Sequence, residues 1–183
     1  MNPGPTTMTS DTSPVPMSAR NEALPGYQRF DNMADYQLAV DKLLANPGRE
    51  LRLFDPDLAS LRANSPERIA QFEAFLATGR MQRLFIALHD TDHLTRHCPR
   101  MMNLIQRYGH AIEVRRTHEE IRHAQDAFMV LDHSHYVRRP VAKYFRGAIG
   151  IHDDTEALAM QSRFMEIWSA SYQAVSGSTS GLA

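Results

Sequence analysis

Apolar positions along the chain switch between two spacings. From Asp35 to Ala45, Leu38, Val40, Leu43 and Leu44 recur at helical intervals until Asn46, Pro47 and Gly48 stop them. Leu51 to Phe54 then predicts a short strand closed by Asp55 and Pro56. Ser65 before Pro66 and Glu67 is an N-cap with proline at the first helical position, and Ile69, Phe72, Phe75 and Leu76 line one face up to Gly79. Arg83 to Leu88 is apolar with little alternation, as in a central strand covered on both faces. Asp90 or Thr91 caps a helix that Pro99 interrupts and that resumes through Met101, Leu104, Ile105 and Tyr108. Ala111 to Val114 predicts the next strand. Phe128 to Leu131 and Tyr136 to Val137 flank a polar connection from Asp132 to His135, the pattern of a hairpin. Ala148 to Ile151 predicts a last strand. Asp153, Asp154 and Glu156 open a final helix, where negative charge suits the helix dipole, and Leu158, Phe164, Ile167 and Trp168 form its apolar stripe.

The resulting order is α-β-α-β-α-β-β-β-β-α. Early alternation implies parallel strands covered by crossover helices, and the later strand cluster implies antiparallel additions. The expected fold is therefore α/β, with a mixed, mostly parallel sheet and helices on both faces, a three-layer sandwich. Residues 1–26 are Pro, Thr, Ser, Met and Gly with almost no periodic apolar positions, and they predict a disordered N-terminal tail. Residues 27–172 form a single domain, large enough to fold without a metal. Residues 173–183 read as a disordered C-terminal tail.

Composition narrows the function classes. The 183 residues carry 20 Lys and Arg against 21 Asp and Glu, a net charge of −1, which argues against a general nucleic-acid or membrane binder. No stretch is long and apolar enough for a membrane helix or a secretory signal, so a cytoplasmic protein is expected. Cys98, the single cysteine, excludes an internal disulfide and a thiolate-rich zinc site. No cofactor is implied. The net charge nevertheless hides an asymmetry: between Arg96 and Arg146 ten basic residues stand against five acidic ones. Of the 20 basic residues only Lys42 and Lys143 are lysine, and guanidinium forks suit phosphate and carboxylate.

Gln125 to Ser171 resembles one half of the phospholipase D-like fold, in which a strand bears His-x-Lys-x4-Asp, a second strand leads to Gly-Ser-x-Asn, and a last helix packs behind. Here Gln125 stands at the histidine position, Ala127 at the lysine position and Asp132 at the aspartate position. Arg139 and Pro140 occupy the expected Gly-Ser, while Glu156, Phe164, Trp168 and Ser171 follow the family's closing helix. In that family the histidine is the nucleophile and the lysine holds the phosphate. The resemblance thus implies the fold and argues against the activity. The core is also similar to a proteobacterial domain of this degenerate type, to which no reaction is assigned. Active members build one site from two halves, so the resemblance implies a homodimer.

Two functional expectations follow. The first is a non-catalytic binding or regulatory module that engages a phosphate-containing or nucleic-acid ligand, or a protein partner, through Tyr136, Arg138 and Arg139, where cations adjoin an aromatic surface. The second is a phosphoester hydrolase with a rewired, metal-dependent or acid/base site. Its candidates are Asp132, the His133 and His135 pair, and His89, Asp90 and His93, with His89 and His93 as metal ligands. The hydrolase needs those two segments to converge in space.

Overall fold

The computed structural model describes residues 26–176, with Met1 and Gly4; the expected tails at 1–26 and 173–183 lie largely outside the described residues. Eight strands form one sheet in the order β1-β7-β6-β5-β2-β3-β4-β8. In chain order the elements are β1 (Gly26–Phe30), α1 (Met33–Leu44), β2 (Glu50–Asp55), α2 (Pro66–Ala77), β3 (Arg83–Leu88), α3 (Asp92–His97) and α4 (Pro99–Arg107). Then follow β4 (Ile112–Thr117), β5 (Ala127–Leu131), β6 (His135–Arg139), β7 (Gly147–Ile151), α5 (Asp154–Ser169) and β8 (Ser171–Val175).

Helices α2 and α5 begin at Ser65 and Asp153 as the sequence predicts, whereas α1 begins two residues before Asp35 and Thr91 makes no side-chain cap at α3. Asn32 accepts the Asp35 N–H, Ser65 accepts the Arg68 N–H, and Asp153 accepts the Glu156 N–H, each satisfying a donor of the first turn that has no partner within its helix. Pro99 separates α3 from α4, and Thr91 precedes α3.

Three corrections apply to the expected architecture. The sheet is mixed, but parallel pairing is confined to β2 with β3 and β3 with β4; the other neighbours are antiparallel. A parallel pair needs a crossover, and only α2 and the α3–α4 segment return the chain beside the strand it left. Secondly, β1 and β8 are additional strands at the two sheet edges. Gly26 to Arg29 is exposed, as is the stretch from Tyr172 to Ala174, so neither carries the apolar alternation that marks a half-buried strand. Thirdly, β8 carries the ordered domain past Tyr172 to Val175, which is buried.

Strand alternation divides the interior into two cores. Leu51 and Leu53 of β2, Met129 and Leu131 of β5 and Val137 of β6 face α1, α2 and α4, together with Val40, Leu43, Phe72 and Leu104. Phe54, Phe128, Val130 and Tyr136 face the opposite way, against Ala157, Met160, Phe164 and Trp168 of α5. Helix α5 packs on β5, β6 and β2, so among the described residues the β7–β1 side of this second face stays open.

Candidate functional site

Gln125 and Ala127, the positions that the resemblance matches to the motif's histidine and lysine, lie at an end of the sheet filled by contacts within the fold. Ala127 is buried at the start of β5, and the Gln125 carbonyl accepts the Ala142 N–H at 2.7 Å. Between them Asp126 holds Arg163 of α5 through both oxygens, at 2.6 and 2.7 Å. His89 follows β3 at the same end. Its Nε2 donates to the Ala124 carbonyl at 2.7 Å, because a carbonyl only accepts, and its Nδ1 lies 2.7 Å from the Thr117 hydroxyl. Both ring nitrogens are therefore in use within the fold. Asp90 accepts the Asp92 N–H, and His93 lies beside His97, ring centroids 5.4 Å apart.

Asp132, His133 and His135 lie at the opposite end. Asp132 sits at φ 52°, and its carboxylate accepts the N–H groups of Arg49 at 3.0 Å and Glu50 at 2.8 Å, where β2 begins. His135 is buried, and its Nδ1 accepts the His152 N–H at 3.0 Å. Register gives the separation: Leu131 pairs with both Leu51 and His135, whereas His89 directly follows Leu88, the partner of Asp55. Five strand residues at ~3.3 Å each put the two histidine groups about 16 Å apart along the strands. The structure thus does not bring together the residues that a rewired hydrolase requires, and among the described residues no three His, Cys, Asp or Glu side chains are placed to hold a metal ion.

Burial, and then the neighbouring His152, lower the pKa of His135. The neutral ring, whose Nδ1 accepts the His152 N–H, is thus the form the fold favours. Its stabilisation is present above the unfolded value of ~6.5 and is lost as pH falls below that towards the folded value. Denaturant melts between pH 7.5 and 5 should show a smaller loss of stability for H135Q than for the parent. Parallel pH dependences would contradict this role.

Arg138 and Arg139, adjacent on β6, point to opposite faces. Arg139 is 1% exposed and belongs to the interior: its Nη2 donates to Asp55 at 2.9 Å, its Nη1 to the Ala142 carbonyl at 2.8 Å, and its guanidinium lies over Tyr36. It therefore cannot meet a ligand, a correction to its expected binding role that follows from the period-two alternation of a strand. Arg138 instead lines an open cleft of about 410 Å³, with Tyr27 and Arg29 of β1, Arg146, and Asp153 and Glu156 at the start of α5.

Cross-strand register builds that cleft. Arg29, Ala148 and Arg138 form one row, and Tyr27, Gly150 and Tyr136 the next. The middle strand contributes the two small residues, which keeps the surface low between taller neighbours. A Cβ on Gly150 would lie 2.3 Å from Cε1 of Tyr136, so only glycine lets that ring lie across the strand. The Tyr136 hydroxyl donates to Asp153 at 3.2 Å, and burial together with that carboxylate raises the tyrosine's pKa. Among the described residues no ion pair engages Arg29, Arg138 or Arg146, and Nε of Arg138 is buried without a hydrogen-bond partner. Sequence reasoning missed Arg29 and Arg146. The one signal for Arg29 was its alternation with Tyr27, which becomes legible once β1 is known to be a strand.

Comparisons with known proteins agree with this architecture. A family described as Domain of unknown function (DUF7931) matches residues 32–176. No curated protein matches the chain. Nuc from Salmonella typhimurium, a phospholipase D family member, superposes with a TM-score of 0.61 at 14% identity, over 83% of this chain and 99% of its own. NucT from Helicobacter pylori gives 0.54 at 9% identity, over 82% and 99%. The archaeal chromatin protein TrmBL2, which has a novel mode of DNA binding, gives 0.60 at 12% identity, over 81% of this chain. The chain spans about half (54%) of the length of that chromatin protein. The fold is phospholipase D-like. No described helix is long and apolar enough to cross a membrane.

Proposed function

The chain belongs to the family described as Domain of unknown function (DUF7931), and from that premise we propose a non-catalytic binding module of phospholipase D-like fold that engages a phosphate-containing ligand in the cleft between β1 and the start of α5. The observation that carries this reading is the convergence of Arg29, Arg138 and Arg146, none in an ion pair among the described residues, on one open cleft. Unpaired guanidinium groups that share a cavity repel one another, and a phosphate bound between them removes that repulsion while accepting forked hydrogen bonds. The resemblance supports a non-catalytic reading, since Gln125 and Ala127 supply neither the nucleophile nor the cation of the phospholipase D-like motif. A DNA-binding protein among the structural neighbours supports nucleic acid as one source of the phosphate. The resemblance adds a proposed homodimer, for which sedimentation of the full chain at about twice its 20.8 kDa is the expected result.

Fluorescence anisotropy of labelled single-stranded and duplex DNA over a range of salt tests the reading. Binding should weaken at least tenfold in the R29A/R138A/R146A variant, and the salt slope should fall by roughly three phosphate contacts. The double variant R29A/R146A, which alters only exposed side chains, should give an intermediate loss. Absence of binding to DNA and to phosphorylated small molecules alike, or binding that the triple variant leaves unchanged, overturns the proposal.

A further inference from the structure

The cleft is electrically polarised along β7. Arg146 lies at one end, followed by the row of Arg29, Ala148 and Arg138; the row of Tyr27, Gly150 and Tyr136 comes next, and Asp153 and Glu156 close the other end. Successive rows on one face are about 7 Å apart, and the ridges on β1 and β6 are two strand spacings, about 10 Å, apart. Three cations and two carboxylates therefore face each other across one cavity instead of neutralising each other in contact pairs. Asp153 is already committed, because it caps α5 and accepts the Tyr136 hydroxyl. Glu156 is exposed and, among the described residues, in no ion pair. Tyr27, which lines the same cleft, is 61% exposed, so one face of a large ring is available for stacking.

A simple anion satisfies only the arginine end and places its charge near two carboxylates. A ligand that joins a phosphate to a nitrogen carrying N–H donors satisfies both ends. Resting on the phosphate-binding reading, we infer that the cleft selects a dipolar phosphate ester: phosphate at Arg29, Arg138 and Arg146, and an amino group at Glu156. A nucleotide whose base bears an exocyclic amine has that chemistry and a ring for Tyr27; an aminoalkyl phosphate has the same two ends without the ring. Stacking on Tyr27 favours the nucleotide, since a base–aromatic contact adds to affinity without demanding a particular base.

Calorimetric titration of the full chain at fixed salt with cytidine monophosphate, uridine monophosphate, phosphoethanolamine and inorganic phosphate tests this. Cytidine monophosphate presents an amine where uridine monophosphate presents a carbonyl, so the first should bind about tenfold tighter, the scale of one hydrogen bond to a charged group. Glu156→Ala should erase that preference while leaving uridine monophosphate binding no weaker. R29A/R146A should weaken every phosphate. If phosphoethanolamine binds as tightly as cytidine monophosphate and Tyr27→Ala changes neither, the dipolar site stands and its source is an aminoalkyl headgroup. If all four bind alike and R29A/R146A weakens them, the dipolar inference falls and the phosphate reading survives. If none binds, the dipolar inference falls, and the phosphate reading falls with it when DNA also fails to bind.

Discussion

Replacing Arg139 by methionine is expected to destabilise the fold by about 3–5 kcal/mol, the usual penalty for leaving one partner of a buried ion pair uncompensated. Asp55 is fully enclosed with it, and burial pushes its carboxyl pKa up while the Arg139 charge and the N–H groups of Leu58 and Asp57 pull it down. Removing the cation leaves the acid with two backbone donors and no counter-charge. It also removes a planar group packed over the neighbouring rings of Tyr36 and Phe145, at 4.5 and 5.5 Å from their centroids. Asp55→Asn in the same chain should recover much of the loss, because the amide oxygen can still accept the turn N–H groups without carrying a charge. Guanidinium denaturation of the parent, R139M and D55N/R139M gives the comparison. An R139M midpoint within 1 kcal/mol of the parent, by the usual linear extrapolation, would refute the buried-pair account.

The second large effect falls on Asp132. Alanine there should lose roughly 2–4 kcal/mol: about 1–3 for orphaning the Arg49 and Glu50 N–H groups and about 1 for holding an ordinary side chain at positive φ. Asparagine tolerates that backbone region and keeps an acceptor oxygen, so D132N should lose about half as much. Phosphate-ligand binding by D132A should match the parent at temperatures where both are folded. The resemblance places this residue at the aspartate of the phospholipase D-like motif, whereas its contacts fasten the β5–β6 turn to the first residues of β2. Loss of binding at unchanged stability would restore it to the site.

Much of the scaffold was legible because burial leaves a period. Ser65 with Pro66, the apolar run from Leu84 to Leu88, and the stripe of Phe164, Ile167 and Trp168 each report an element that must hide one face or two. β1 and β8 left no such trace, being edge strands held chiefly by backbone hydrogen bonds to one neighbour. The candidate site inherited that blindness. Arg138 could be recognised from local charge, but Arg29 reaches it only because β1 pairs with β7, more than a hundred residues later in the chain. The histidines misled for the opposite reason. His89, half-buried, and His135, buried, have their own partners within the fold, Thr117 and Ala124 for one and His152 for the other, and composition alone does not distinguish a satisfied histidine from a ligand.

The two edge strands also decide how the protein can be handled. Gly26 pairs with Ile151, and Tyr27 after it lines the cleft near Asp153. Val175 ends the opposite edge, seven strand spacings away, or roughly 34 Å across the sheet. A fluorophore or surface tether attached at Val175 is therefore carried on the sheet edge far from the proposed cleft, and labelling at that edge is the expected choice for the binding measurements.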